Sequence, residues 1–186
     1  MTQESLRQQI AMVSQNVVLF DDTIAANIAY GDATPDPQRI AHAVEAAHLS
    51  EVVAELPDGL QTMIGDNGMR LSGGQRQAVS LVMATLSESK LLLLDEHTAA
   101  LDPRMAAFVI DLTKRIIDEF DLTVMMVTHS MKDALACGDR TVMLHQGEIV
   151  LDVAGEQRAN MQVPDLLDMF SKVRGEELAD DSLLLN

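Results

Sequence analysis

Two adjacent carboxylates, Asp95 and Glu96, follow four leucines in the segment LLLLDE, residues 91–96. A short, continuous apolar run predicts a strand of a parallel sheet that is covered on both faces. Open α/β sheets bind ligands at the carboxyl ends of such strands. There Asp95 could hold Mg²⁺ directly or through its waters, and Glu96 could polarise an attacking water. Taken alone, the pattern also fits a strand that simply ends in two exposed acids.

A second motif, LSGGQRQ, occupies residues 71–77 and precedes a predicted helix that opens after Ser72-Gly73-Gly74 and runs to about Leu86. Two glycines allow the backbone to approach a phosphate closely, and the N–H groups and dipole of a helix start favour an anion. The Ser72 hydroxyl adds a donor. A glycine turn with a serine cap is the plainer reading, but it does not explain why the motif lies one helix ahead of LLLLDE.

A third candidate is His129 in VTHS, which ends the next predicted apolar strand. If that strand neighbours the Asp95 strand, His129 could hydrogen-bond a terminal phosphate or hold the attacking water. A single histidine at a strand end is usually structural, so this role depends on the first two motifs. The remaining histidines have no spacing typical of metal ligands; they are His42, His48, His97 and His145.

The order of predicted elements indicates an α/β fold with a parallel sheet core, a helical subdomain and a C-terminal hairpin plus helix. Asp-Pro pairs at 36–37 and 102–103 predict two helix starts, and Gln146-Gly147 predicts a hairpin turn. We predict four segments: a core strand with a loop in 1–21, a helical subdomain in 22–86, an α/β core in 87–160, and a terminal helix with an acidic tail in 161–186.

Composition narrows the function classes. The chain has 186 residues and a formal net charge of −16, which argues against a surface that coats nucleic acid and against a polybasic membrane anchor. A single cysteine, Cys137, excludes an internal disulfide, fits a reducing compartment, and is predicted to be a small buried residue. No apolar run reaches the length of a membrane span and no secretion signal opens the chain, so we expect a cytoplasmic location.

Together these motifs resemble the nucleotide-binding domain of ABC transporters, a partial P-loop NTPase fold. LSGGQ matches the family signature, LLLLDE its second Walker motif, AALD the loop that follows, VTHS the switch histidine, and VSQN the glutamine loop. The resemblance implies ATP and Mg²⁺ as cofactors. It also implies a second nucleotide-binding domain and a transmembrane transporter subunit as partners, which would hold the chain at the inner face of the cell membrane; no nucleic-acid partner is implied.

The resemblance also implies a role for each site residue. In this family two domains enclose two ATP molecules, so the signature residues would contact a nucleotide held mainly by the partner. The residues at the strand ends would serve the nucleotide of their own chain, with Gln15 sensing magnesium. Asp102 would communicate across the dimer. The signature residues are Ser72, Gly73, Gly74 and Gln75, and the strand-end residues are Gln15, Asp95, Glu96 and His129.

The phosphate loop G-x-x-x-x-G-K-[ST] is not present in these residues, because none of the four lysines follows the required glycines. The resemblance places that loop upstream of Gln15, with its strand beside the Asp95 strand. We therefore expect a domain that lacks its N-terminal portion, with open apolar faces and strand edges. We also expect little or no ATP hydrolysis by the isolated chain.

Several alternatives stay open. Residues 1–70 resemble lipid exporters and residues 78–186 resemble importer-type ATP-binding subunits, with His97 standing where exporters usually have alanine, so the chain is a possible hybrid. Instead of being part of an ATPase, it could be a non-catalytic module that supplies its LSGGQ helix to a partner, or an unpartnered fragment without activity. An ATPase of DNA repair is disfavoured by the acidic charge and the lack of coiled-coil heptads.

Overall fold

The computed structural model describes residues 2–7, 9–32, 34–47, 49–86 and 89–174. It divides into two compact units, one ending at Val127 and one beginning at Thr128. His48 and the predicted acidic tail lie outside the described residues. The four segment boundaries drawn from the sequence stay a prediction.

The first unit contains a parallel sheet with the order β1-β2-β3, formed by β1 (Ile10–Ser14), β2 (Leu91–Asp95) and β3 (Thr123–Val127). β2 is paired along its whole length on both edges. The expectation that the phosphate-loop strand lies beside the Asp95 strand is therefore wrong, because β1 and β3 already occupy the hydrogen-bonding edges of β2. Among the described strands, β1 and β3 form the edges of this sheet.

Only one face of this sheet is covered in the described part of the chain. Val13, Leu92 and Leu94 are buried, whereas Met12 and Met125 on the opposite face are each 59% exposed. The apolar runs predicted strands covered on both faces, and this prediction is wrong for the face of Met12 and Met125. The expected open apolar face is present there.

Within the described ranges, six α-helices accompany the sheet. The starts of the third and sixth helices follow the predicted Asp-Pro pairs: the Asp36 carboxylate accepts from the Gln38 N–H at 2.8 Å, and Asp102 caps the other helix. The fifth helix packs against the second, third and sixth helices and against β1, which centres the apolar core on it. The helices are α1 (Gln3–Arg7), α2 (Ile24–Ile28), α3 (Pro37–Ala46), α4 (Ser50–Ala54), α5 (Gly73–Leu86) and α6 (Pro103–Phe120).

The second unit, as far as residue 174, contains an antiparallel hairpin and three α-helices. The hairpin turns at Gln146 and Gly147, as predicted, and both have positive φ, 52° and 84°, as a two-residue type I′ turn requires. Its elements are α7 (Met131–Ala136), β4 (Arg140–His145), β5 (Glu148–Ala154), α8 (Gly155–Ala159) and α9 (Val163–Arg174).

Arg158 fastens the end of α7 in this unit. Its guanidinium donates to the backbone oxygens of Ala134, Leu135 and Cys137 and to the hydroxyl oxygen of Thr141. Cys137 is half-buried rather than buried as predicted; it caps the end of α7 and contributes its carbonyl to this contact. None of the described helices is both long and apolar enough to cross a membrane.

Candidate functional site

The sheet brings three of the predicted site residues to one edge. Ser14, Asp95 and Val127 are register partners at the carboxyl ends of β1, β2 and β3, and adjacent strands lie about 4.8 Å apart. Gln15 follows Ser14, and Glu96 follows Asp95. Gln15, Asp95 and Glu96 are therefore neighbours at the edge where parallel sheets bind ligands.

Glu96 leaves the strand with an unusual backbone conformation. Its φ is 45°, a left-handed value that costs a non-glycine residue about 1–3 kcal/mol and persists only where its surroundings enforce it. Its N–H donates to the Val127 oxygen at 3.0 Å, and its own oxygen accepts from the Ala99 N–H at 3.0 Å. These contacts turn the chain sharply out of the sheet directly after Asp95.

The loop after Glu96 ends at Asp102. One carboxylate oxygen of Asp102 accepts from the N–H groups of Arg104 and Met105, both at 3.1 Å. This contact satisfies two of the N–H groups that have no partner within a helix start. The predicted cap is therefore present, and the role of Asp102 across a dimer stays a prediction.

The signature residues form the start of α5. The Gln75 N–H donates to the Ser72 hydroxyl at 3.2 Å, and the Ser72 N–H donates to the Gln75 side-chain oxygen at 2.7 Å. This arrangement is a capping box, and it leaves the hydroxyl proton of Ser72 available for donation. The helix begins at Gly73, earlier than predicted, so that Gly73 and Gly74 are its first two residues.

Both glycines also lie close to side chains of the loop and helix around Asp102. A Cβ at Gly73 would lie 3.0 Å from Leu101 Cδ2, and a Cβ at Gly74 would overlap the end of the Met105 side chain. Neither glycine has a positive φ. The start of α5 therefore lies against the residues around Asp102, a role for the glycines that the phosphate argument from the sequence did not include.

Gln77 was not identified from the sequence as a site residue. Its side chain is 4% exposed, and its Nε2 donates to the backbone oxygens of Ser14 and Gln15, both at 3.2 Å. The Oε1 atom is buried and has no hydrogen-bond partner in the described part of the protein. The sequence signal for Gln77 was a glutamine on the apolar side of a predicted helix. In the structure its neighbours Gly74, Ala78 and Leu81 are buried as well.

His97, the residue after Glu96, was also not assigned a role. Its side chain is 2% exposed, and its Nε2 lies 3.2 Å from the Thr113 hydroxyl oxygen on α6. The sequence signal for His97 was its position, because exporter relatives usually have alanine there.

His129 is exposed and belongs to the second unit. Around it, the Ser130 N–H donates to the Thr128 hydroxyl at 3.0 Å, and the Ser130 hydroxyl accepts from the Asp133 N–H at 3.2 Å, which caps α7. The predicted role of His129 at a phosphate stays a prediction.

The donor atoms at the sheet edge fit magnesium. Asp95 offers a carboxylate and Gln15 an amide oxygen, and Mg²⁺ prefers oxygen ligands while keeping several waters and substrate phosphates. Within the described ranges no three His, Cys, Asp or Glu side chains form a metal-holding group. Whether Asp95 and Gln15 bind magnesium stays a prediction.

Comparison with known proteins places these features in a family. The family model described as "ABC transporter" matches residues 1–99. The chain is 47% identical over 146 residues to an ATP-dependent lipid A-core flippase of Burkholderia orbicola. It is 54% identical over 100 residues to a tyrosine transport ATP-binding protein of Clostridioides difficile. One relative is thus named as a lipid flippase and the other as a transport ATP-binding protein, and the division of the chain into an exporter-like and an importer-like part stays a prediction.

A solved structure agrees with the sequence matches. A bacterial Atm1-family ABC exporter with ATP bound superimposes with a TM-score of 0.72 at 30% identity, covering 96% of this chain and 30% of the exporter chain. The chain spans 24% of the flippase, or 78% of its own length, and 40% of the tyrosine transport protein, or 54% of its own length. The matched family model, the relatives and the fold agree: the chain belongs to the ABC transporter family and has a partial P-loop fold of its nucleotide-binding domain.

Proposed function

We propose that this chain is the signature- and glutamate-bearing part of an ABC ATPase that couples ATP hydrolysis to transport across a membrane. The observation that carries the proposal is the shared sheet edge of Gln15, Asp95 and Glu96, joined to the signature helix by Gln77. Relatives named as a flippase and as a transport ATP-binding protein support the coupling to transport.

The chemistry follows from the donor atoms. Asp95 and Gln15 hold Mg²⁺ directly or through its waters, and the ion, when bound, neutralises charge that develops on the phosphates. Glu96 accepts the proton of the attacking water at a carboxylate oxygen. His129 holds the terminal phosphate or the water.

The signature helix serves a second nucleotide-binding domain. Ser72 donates its hydroxyl proton, and Gly73 and Gly74 donate first-turn N–H groups, to the phosphates of ATP held by that partner. Gln75 keeps this turn in shape through the capping box, and Asp102 at the adjacent helix start transmits the contact across the dimer.

An exposed aromatic pair near the Gln15 loop fits a transmembrane partner. Phe20 and Tyr30 stack with ring centroids 4.2 Å apart and are 41% and 65% exposed, and Val18 is 68% exposed. The side chain of buried Asn27 accepts a hydrogen bond from the Phe20 N–H and donates one to the Phe20 backbone oxygen. We infer that this patch contacts the transporter subunit, which holds the chain at the inner face of the membrane. The net charge of −16 argues against a nucleic-acid partner.

The alternative is a module that supplies its LSGGQ helix to a partner ATPase without hydrolysing ATP itself. The observation in its favour is that these 186 residues contain no phosphate loop. Retention of both Glu96 and His129 favours the catalytic proposal.

A fusion separates the two proposals. In the fusion protein, the phosphate-loop segment of the Burkholderia flippase is joined ahead of residue 1 to complete the nucleotide site. ATP hydrolysis by this protein is then measured with and without the substitution Glu96→Gln. We expect little or no hydrolysis by the 186-residue chain, hydrolysis by the fusion, and a loss of about a hundredfold or more with Glu96→Gln. Glu119→Gln, an exposed acid on α6, is the matched control and should leave the rate unchanged.

Two outcomes would count against the catalytic role proposed for Glu96. One is a fusion that binds ATP and hydrolyses it equally fast with Glu96→Gln. The other is a chain that raises ATP hydrolysis only by a partner domain whose own signature is inactivated. In that case Ser72→Arg should abolish the increase and Glu96→Gln should leave it unchanged. The second result would establish the alternative.

A further inference from the structure

His97 is a buried polar side chain in a loop that otherwise connects β2 to α6 over the surface. It is 2% exposed, and Thr113, its partner in the third turn of α6, is also 2% exposed. Buried polar groups are costly unless they are hydrogen-bonded, and the contact between His97 and Thr113 provides each with a partner. His97 directly follows Glu96.

The hydrogen bonds assign the tautomer of the imidazole. The Thr113 hydroxyl donates its one proton to the Val109 oxygen at 2.8 Å. Toward His97 the hydroxyl oxygen can therefore only accept, so that His97 Nε2 must carry a proton. The result is a directed chain of donors from His97 through Thr113 to the backbone of α6.

This chain of donors fixes the middle of the loop that carries Glu96. The loop is held at its start by the bond from the Glu96 N–H to the Val127 oxygen, and at its end by the Asp102 cap. Between these points the loop also makes local backbone turns, such as that from the Leu101 N–H to the Thr98 oxygen. His97 ties this span to a helix of 18 residues that packs in the core.

We propose that His97 is a positioning residue for Glu96: its Nε2–H···Thr113 bond holds the loop in the conformation that keeps Glu96 at its left-handed φ of 45°. A left-handed conformation at a non-glycine residue relaxes when its surroundings no longer enforce it. The catalytic meaning of this positioning rests on the proposed function, whereas the positioning itself does not depend on nucleotide.

Amide hydrogen exchange of the complete chain, measured by NMR, tests the positioning. The probe is the Glu96 N–H, and the reference for global opening is the N–H of Leu81, which is buried in α5. With His97→Ala or Thr113→Val we expect about tenfold faster exchange at Glu96, the loss associated with one hydrogen bond, and a change at Leu81 of less than about twofold.

Conservative variants and a matched control separate positioning from general destabilisation. His97→Gln places a donor near the same point and Thr113→Ser keeps the acceptor, so both should restore slow exchange at Glu96. His42→Ala removes an exposed histidine of the same unit and should leave Glu96 unchanged. Equal acceleration at Glu96 and Leu81, or no acceleration at Glu96, would overturn the proposal.

The ¹⁵N spectrum of the imidazole gives a second readout on the unsubstituted chain, which remains informative even if the alanine and valine variants fail to fold. We expect His97 with a slowly exchanging proton on Nε2, and the same signal in Thr113→Ser. A proton on Nδ1 alone would refute the inference. Neither NMR experiment contains nucleotide. A negative result in them and a failure of the flippase fusion to hydrolyse ATP are therefore independent results.

Discussion

The side-chain nitrogen of Gln77 lies 3.2 Å from the backbone oxygen of Gln15, in a part of the chain 62 residues away. The same nitrogen also donates to the Ser14 oxygen at 3.2 Å. One buried carboxamide therefore joins the signature helix to the loop that carries Gln15, so that a displacement of either element strains the bond to the other.

Replacing Gln77 by methionine, which has a similar shape, should lower the free energy of unfolding by about 1–3 kcal/mol, because two backbone oxygens lose their donor. The loss is reduced by removal of the unpartnered Oε1 atom. Urea denaturation measures the change. Gln38→Met, at an exposed position of α3, is the control; an equal loss in both variants would show that the bonds to Ser14 and Gln15 contribute nothing specific.

Gly74→Ala should cost less than about 1 kcal/mol of stability, because the new Cβ overlaps only the flexible end of the Met105 side chain, and alanine favours helices over glycine. Shortening that side chain with Met105→Ala should make the two substitutions together cost less than the sum of the single losses. Thermal or urea unfolding of the four proteins in the cycle provides the measurement. Additive losses would mean that Gly74 and Met105 do not meet.

Asp36 and Asp102 form a matched pair of caps, since each precedes a proline and accepts from the N–H two residues later. Replacing either by alanine should cost about 1 kcal/mol of stability. In the fusion proposed above, only Asp102→Ala should also lower the rate of ATP hydrolysis at saturating ATP. Equal rates for the two variants would remove the proposed role of Asp102 across the dimer.

The hairpin has its own pH dependence. The hydrogen bond from Arg140 lowers the pKa of Asp152 below its ordinary 3.8, and the same bond raises the pKa of Arg140. A carboxyl with a lowered folded-state pKa stabilises the fold above its unfolded pKa, and this stabilisation is lost as the pH falls through the folded pKa.

The difference in unfolding midpoint between the unsubstituted chain and Asp152→Asn should therefore be constant near neutral pH and shrink below pH 3.8. Both groups are exposed, so the difference should be small and should decrease in 1 M salt. Arg140→Met should show the same reduced acid dependence as Asp152→Asn. A difference that grows on acidification would contradict this assignment of the pKa shift.

The sequence alone determined the features that depend on local chemistry. Asp36-Pro37 and Asp102-Pro103 fixed two helix starts because a short carboxylate accepts from the first turn and proline fits that turn. Gln146-Gly147 fixed the hairpin because both residues tolerate positive φ. The five motifs identified the family, and the β2–β3 pairing that was made a condition for His129 is present.

The tertiary structure decided the features that depend on which distant residues meet. Apolar runs look the same whether a strand is covered on one face or two, so they did not say which face of the sheet would be open; in the structure it is the face of Met12 and Met125. The neighbours of β2 were also not encoded locally, because strand order is set by the crossover helices. The buried donors of Gln77 and His97 find their acceptors 62 and 16 residues away. The side-chain types alone do not specify such long-range partners, whereas the packing of α5 against β1 and α6 does.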